Sequence, residues 1–146
     1  VRVKVFFKLY AAGLYLTEKT GSAATALSLA GPKRVSMTMM RDLTSQQMID
    51  ALNEGMRNNN PPAEFEKLRP RAERLSAIMS AIGAAKSGSV ITLDYVPEAG
   101  TRVTLEGEPK GEAIAGEDFY RALLRIWLGD DPVDSSLKKA LLGQAG

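Results

Sequence analysis

Residues 90–129 decide the fold class of this 146-residue chain, with the sequence VITLDYVPEAGTRVTLEGEPKGEAIAGEDFYRALLRIWLG. Val90–Val96, Thr101–Glu106 and Lys110–Ala115 follow a period of two, and turns rich in Pro, Gly and Glu separate them. This pattern predicts an antiparallel meander of three strands. An apolar stripe at helical spacing then follows Glu117-Asp118 and predicts one helix. Its members are Phe119, Ala122, Leu123, Ile126 and Trp127.

The chain before this stretch predicts further strands and a helix. β-branched and aromatic residues fill Val1–Lys19, which predicts one long strand with a candidate bulge at Gly13. Ser22–Ala30 is rich in Ala and Leu and precedes Gly31-Pro32, so it predicts a short helix that stops at the Gly. Lys33–Met40 alternates polar and apolar residues, which predicts a second strand with one solvated and one buried face.

Helical spacing dominates the middle and the end of the chain. Thr44–Asn59 predicts a helix capped by Thr44-Ser45. Ala63–Gly83 predicts helical structure that Pro70 kinks or divides in two, and Ser135–Leu142 predicts a last short helix. Strands and helices in this order predict an α+β fold in one domain over residues 1–146.

The composition excludes several function classes. The chain has no Cys and no His, so it lacks the residues for Ser-His-Asp or Cys-His catalysis, for Cys/His zinc sites and for disulfides. Asp130, Asp131 and Asp134 lack the spacing of a calcium loop, so we predict no metal site and no cofactor. A net charge of +2 gives no reason to expect nucleic acid as a partner. No apolar run is long enough to span a membrane.

The start of the chain bears on where the protein works. It begins at Val1 without an initiator Met and inside a strand pattern, so we expect that a leader and some upstream sequence have been cut away. Absence of Cys suits an oxidising compartment. We therefore expect a periplasmic or secreted protein, with a cytoplasmic location as the alternative. The sequence offers no basis for predicting an oligomeric state.

Two long segments carry a family resemblance. They are Arg2–Leu16, which contains Phe6-Phe7-Lys8-Leu9-Tyr10 and Gly13-Leu14-Tyr15-Leu16, and Asp118–Lys138, which contains Ile126-Trp127-Leu128-Gly129-Asp130-Asp131-Pro132. They resemble the first core strand and the late helices of the chalcone isomerase superfamily, most of all its bacterial chalcone isomerase-like branch. Pro32-Lys33-Arg34 and Met40-Arg41-Asp42-Leu43 fit the same order. The resemblance implies an open-faced β-sandwich, in which a layer of helices covers a large antiparallel sheet and a ligand cleft lies between them.

The resemblance also implies where catalytic groups would stand. The plant enzymes use an Arg, which matches Arg2, and a Thr, which falls on Tyr10. Their Tyr, Asn and late Ser/Thr fall on Met48, Gly55 and Ile126, which have no comparable hydrogen-bonding side chain. Each lost donor of the oxyanion-hole kind costs about 2.7–4 kcal/mol of transition-state stabilisation, so we expect little chalcone cyclisation. An intramolecular lyase, if active, would rest on Arg2 and Tyr10.

Fatty-acid-binding members of the same superfamily suggest a different function. They hold a carboxylate with an Arg and a Tyr, and the resemblance places these on Arg2 and Tyr15. A guanidinium can make two parallel hydrogen bonds to a carboxylate, and a phenol can add a third. We expect the acyl part to lie in a cleft between sheet and helices, lined by Tyr10, Met37, Met39, Met48, Gly55, Met56, Ile126 and Trp127.

The resulting hypothesis is a non-catalytic protein that binds a small apolar or amphipathic carboxylate. Two alternatives stay open at this point. One is an intramolecular lyase of the chalcone isomerase type with weak or altered activity, and the other is a partner-binding scaffold whose cleft is vestigial.

Overall fold

A computed structural model describes residues 4–6, 10–18 and 20–143. Within these ranges six strands form one antiparallel sheet in the order of the chain, and five helices accompany it. The strands are β1 (Lys4–Phe6), β2 (Tyr10–Tyr15), β3 (Lys33–Met39), β4 (Val90–Val96), β5 (Gly100–Leu105) and β6 (Glu108–Ile114). The helices are α1 (Ala23–Ser28), α2 (Ser45–Asn59), α3 (Pro62–Ile82), α4 (Glu117–Leu128) and α5 (Ser135–Leu141).

The two faces of the sheet follow from strand alternation. Val35 of β3 lies opposite Leu14 of β2 and Leu93 of β4, and all three are buried. Successive side chains of a strand point to opposite faces, so the neighbouring Arg34 and Asp94 lie on the other face. The helices cover the apolar face. The structure confirms the predicted α+β fold and the predicted alternation of buried and solvated residues in Lys33–Met40.

Local sequence signals set the helix ends. Thr44 caps α2 in a capping box, because its hydroxyl accepts from the Gln47 backbone N–H while the Gln47 side chain accepts from the Thr44 N–H. Ser22 and Asp134 cap α1 and α5 in the same general way. The chain stays helical through Pro70, so the predicted division of this segment into two helices is wrong.

The predicted single strand over Val1–Lys19 is also wrong. The described part of this segment contains two strands, β1 and β2, which pair with each other in antiparallel register from Lys4 opposite Gly13 to Phe6 opposite Ala11. Gly13 also lies opposite Ser36 with no shift in register, so the candidate bulge is absent there. The composition misleads because no Gly, Pro, Asn or Asp occurs in the sequence between Phe6 and Tyr10 to mark where one strand ends and the next begins.

Helix α4 is central to the packing. It contacts α1, α2, α5 and β5, and the side chains of Phe119, Leu123, Ile126 and Trp127 are buried. Helix α3 lies further along the sheet, against α2 and β6. No helix in the described part of the chain is both long and apolar enough to cross a membrane.

Candidate functional site

Tyr10 and Trp127, two predicted ligand-binding residues, touch each other in the core. The indole Nε1 of Trp127 donates to the Tyr10 hydroxyl oxygen over 2.9 Å, and the two residues are 5% and 1% exposed. Burial raises the pKa of Tyr10 to about 12, although the bond from Trp127 acts in the opposite direction. Tyr10 is therefore a neutral phenol at physiological pH.

The other predicted lining residues on this side of the sheet are packed against protein. Met37, Met39, Met48, Met56 and Ile126 are all buried members of the same core cluster as Tyr10 and Trp127. A Cβ at Gly55 would lie only 2.7 Å from Cγ2 of Ile126, so the glycine allows α2 and α4 to approach closely. The structure thus brings the predicted apolar set together as core. Their role as ligand contacts stays a prediction.

Tyr15 lies apart from this set. Tyr10 and Tyr15 are an odd number of residues apart in β2, so their side chains point to opposite faces of the sheet. Tyr15 is 37% exposed and lies opposite Arg34, on the face away from the helices. It does not share a cleft with Trp127. Arg2, its predicted partner, lies outside the described residues, so the Arg2–Tyr15 anchor also stays a prediction.

A cleft between helices and sheet occurs at the other edge of the sheet. This α3–β6 cleft has a volume of about 350 Å³, within the range of small-molecule sites. Ile78 and Ile82 of α3 form one wall, and Leu105 of β5 forms another. The full lining is Ala77, Ile78, Ala81, Ile82, Leu105, Lys110 and Gly111.

Among the described residues, Lys110 is the one charged residue that lines the α3–β6 cleft. Its Nζ lies 3.7 Å from Oε2 of Glu108, whose side chain is largely exposed. Such a solvent-exposed pair contributes little to stability, so water or a ligand can displace the Glu108 carboxylate at small cost. The cleft therefore combines apolar walls with one cation that a bound anion can reach.

Gly111 sets how closely α3 approaches β6. Its φ is 70°, a conformation that side chains disfavour, and a Cβ there would lie 2.7 Å from Cγ1 of Ile78. The absence of a side chain lets Ile78 pack onto the strand, and this contact forms the base of the cleft.

A second cavity lies where β2, β3 and β4 end. This strand-end groove has a volume of about 410 Å³ and is lined by Tyr15, Leu16, Thr17, Pro32, Lys33, Arg34, Asp94, Tyr95 and Val96. Arg34 and Asp94 make a bidentate ion pair with distances of 2.8 and 2.9 Å, and this hydrogen bonding raises the pKa of Arg34. Lys33 is 4% exposed, and its Nζ lies 5.3 Å from the ring centroid of Tyr95.

The sequence prediction missed the α3–β6 cleft, and Tyr15 is the one predicted site residue among the described residues that line the strand-end groove. Ile78 and Ile82 are one helical turn apart, which marks an apolar ridge, but nothing in the sequence indicates that β6 lies against it. Lys33 is on the apolar face of an alternating strand, and this is a signal that sequence analysis could have used. Across the described residues, no group of three or more carboxylate, Cys or His side chains is arranged to hold a metal ion.

The fold and its clefts define a class of protein: an open antiparallel sheet covered on one face by helices. The chalcone isomerase-like family matches residues 1–143, and this chain belongs to that family. No curated protein matches the sequence.

Solved structures support the same fold. A crystal structure of an Arabidopsis thaliana fatty-acid binding protein (AtFAP1) is similar, with a TM-score of 0.70. The match covers 97% of this chain and 83% of the other, at 14% sequence identity. An identity this low shows a shared fold and carries no ligand with it.

Proposed function

We propose that this protein binds a small amphipathic carboxylate, with the apolar part of the ligand in the α3–β6 cleft and its carboxylate at Lys110. The observation that supports this most strongly is the composition of the cleft, which has aliphatic walls from Ile78, Ile82 and Leu105 and a single cation. This arrangement matches a ligand with one charged end, because the apolar walls favour the hydrocarbon part of the ligand and the Lys110 ammonium favours its carboxylate.

The energetics favour such a ligand over a neutral one. Each CH₂ group that leaves water contributes about 0.8 kcal/mol, and a hydrogen bond to a charged group contributes about 1.5–3 kcal/mol. Binding also releases Lys110 from an exposed pair with Glu108, which costs little. The affinity is therefore expected to rise with chain length and to depend on the charge of the head group.

The fatty-acid binding protein of the same fold lends support to this ligand class. The name of that protein describes its own ligand. At 14% sequence identity the ligand does not carry over, so a similar ligand for this chain is our proposal. The alternative location for the carboxylate is at Tyr15, on the face of the sheet away from the helices, with Arg2 as the partner that the resemblance implies. The expected export from the cytoplasm and the expected bacterial source also stay predictions.

The test is isothermal titration with dodecanoate and with dodecanol, which has the same chain and no charge. We expect dodecanoate to bind saturably and Lys110→Met to weaken it by roughly the strength of one charged hydrogen bond, about tenfold to a hundredfold. Lys110→Met should leave dodecanol binding unchanged. Lys67→Met is the matched control, because Lys67 is an exposed residue of α3 that does not line the cleft.

One outcome would contradict the proposed location of the carboxylate, and another would contradict the proposed class of ligand. If Tyr15→Phe or Arg2→Ala weakens dodecanoate binding and Lys110→Met does not, the carboxylate lies at the Arg2–Tyr15 anchor. If neither dodecanoate nor dodecanol binds saturably, the protein does not bind this class of ligand, and the partner-binding scaffold is the better hypothesis.

A further inference from the structure

Lys33 occupies an unusual position for a lysine. Its side chain is on the helix-covered face of β3, in the same row of alternating positions as Val35, Met37 and Met39. Tyr95 lies directly opposite in β4, and the Lys33 ammonium is close to its ring. Lysine is rarely buried to this degree unless a carboxylate neutralises it.

Carboxylates do lie nearby, but arginines already pair with them. Arg34 holds both oxygens of Asp94, and Nη2 of Arg121 lies 3.5 Å from Oε1 of Glu117. Within the described part of the chain, the Lys33 side chain makes no hydrogen bond and no ion pair. The Lys33 ammonium thus has a cation–π contact with the Tyr95 ring, and the charged side chains of Glu117 and Arg121 in α4 lie further away.

These surroundings make the Lys33 ammonium easier to deprotonate than that of a solvated lysine. Burial lowers the pKa of Lys33, Glu117 raises it, and Arg121 lowers it further, with a net shift downward. Lys33, Tyr95 and the Arg34–Asp94 pair all belong to the lining of the strand-end groove. A lysine amine with a lowered pKa in an apolar site is the usual form of a nucleophilic lysine.

Lys33 also borders an open cavity, although the residue as a whole is only 4% exposed. Lys33 lines the strand-end groove, which is large enough for a small organic molecule. Leu16, Pro32, Tyr95 and Val96 give the groove apolar and aromatic surface beside the Arg34–Asp94 pair.

We infer that Lys33 is a covalent capture site for apolar aldehydes that enter the strand-end groove. The ammonium first gives its proton to solvent, and the Nζ lone pair then attacks the carbonyl carbon to form a carbinolamine. Loss of water, whose oxygen comes from the aldehyde, leaves a C=N bond between ligand and lysine. No oxidant or reductant takes part, and hydrolysis reverses the reaction. This inference is independent of carboxylate binding in the α3–β6 cleft.

The test uses octanal with sodium cyanoborohydride, which reduces the imine to a stable secondary amine, followed by peptide mapping. At neutral pH we expect Lys33 to be labelled at least about fivefold faster than the exposed Lys86 and Lys139 of the same molecule. Lys33→Arg retains a cation for folding and should remove the fast label. Lys110→Met should leave it unchanged.

A matched pair of substitutions tests the role of the groove. Val96 lines the groove and is 38% exposed, whereas Val133 lies outside it and is 39% exposed. Val96→Trp should fill the groove and reduce Lys33 labelling several-fold, while Val133→Trp should have no effect. Equal labelling of Lys33 and the exposed lysines, or equal labelling in the two Trp variants, would overturn the inference.

Discussion

Trp127 donates its indole N–H to the hydroxyl of Tyr10, and this 2.9 Å hydrogen bond joins α4 to β2 across 117 positions of the sequence. Both side chains are buried, so the bond fixes the central helix to the sheet at one point. The family resemblance places the Thr of the plant enzymes at Tyr10, and in this protein Tyr10 is part of the packing between helix and sheet.

Tyr10→Phe should destabilise the protein. The substitution removes the acceptor and leaves the Trp127 N–H buried without a partner, which costs about 1–3 kcal/mol in the free energy of unfolding. Urea denaturation measures this cost. Tyr15→Phe is the control, because Tyr15 is exposed and its change should stay within about 0.5 kcal/mol. Equal effects of the two substitutions would show that the Tyr10–Trp127 bond contributes nothing specific.

Gly55→Ala should also destabilise, against the usual effect of this substitution in a helix. Ala normally stabilises a helix by about 0.5–1 kcal/mol relative to Gly. Here the new Cβ meets Ile126 at 2.7 Å, and overpacking of this kind costs about 1–3 kcal/mol. Ile126→Ala removes the Cγ1 and Cγ2 atoms that the new Cβ meets, so it should recover part of the loss in a double-mutant cycle. Gly21→Ala is the control, because its Cβ would have no neighbour closer than 3.8 Å.

The sequence predicts most of the fold because its periods are local. Lys33–Met39 could be recognised as a half-buried strand since alternation depends on adjacent residues alone. The end of β1 and the start of β2 could not be found, because no turn-forming residue marks them. The face of the sheet that Tyr15 occupies was also within reach of the sequence, because its odd separation from Tyr10 in one strand predicts the opposite face, whereas the resemblance only aligns a residue type.

The candidate sites are harder to predict than the elements. The α3–β6 cleft joins Ile78 and Lys110, which come together only because β6 packs against α3. Lys33 is reactive in our proposal because arginines pair with the carboxylates around it, and pairing depends on cross-strand register. Both features depend on the tertiary structure, so the sequence alone can indicate at most which residues are candidates for a site.

Chalcone cyclisation should proceed no faster with this protein than in buffer. Met48 and Ile126 cannot replace the lost hydrogen-bonding side chains, and Ile126 fills the space that a side chain at Gly55 would need. Tyr10 stays neutral up to a pH of about 12 and therefore supplies no base. A spectrophotometric assay of chalcone consumption checks this. A protein-dependent rate that disappears in Arg2→Ala would instead support the intramolecular lyase.

The Arg71–Asp118 pair should make stability depend on pH. Arg71 makes two hydrogen bonds to the Asp118 carboxylate, and this contact lowers the pKa of Asp118 below its usual value. A carboxyl with a lower pKa in the folded state stabilises the protein above its unfolded pKa of about 3.9, and this contribution is lost as the pH falls through the folded pKa.

Asp118→Asn tests this pair. Because Asp118 is more than half exposed, the loss of unfolding free energy at neutral pH should be below about 1 kcal/mol. The difference from the unsubstituted protein should disappear at strongly acidic pH, which denaturation curves at both pH values measure. Glu66→Gln removes an exposed pair within one helix and should change little at either pH. A deficit in Asp118→Asn that persists in acid would assign the effect to packing.

Gly111→Ala tests the base of the α3–β6 cleft. Gly107 provides the control, because both glycines have a positive φ, at 70° and 83°, and both substitutions strain the backbone in the same way. Only the Cβ at position 111 meets another side chain, Ile78, while nothing lies within 4 Å of the Cβ at position 107. The extra loss of unfolding free energy in Gly111→Ala therefore measures the contact with Ile78. We expect it to exceed the loss in Gly107→Ala by about 1 kcal/mol or more.

The same substitution tests the orientation of the ligand. Because Ile78 also lines the cleft, Gly111→Ala should weaken the binding of dodecanoate and dodecanol alike, whereas Lys110→Met should weaken the binding of dodecanoate alone. If both variants affect only dodecanoate, Ile78 does not shape the apolar part of the site and the proposed orientation of the ligand is wrong.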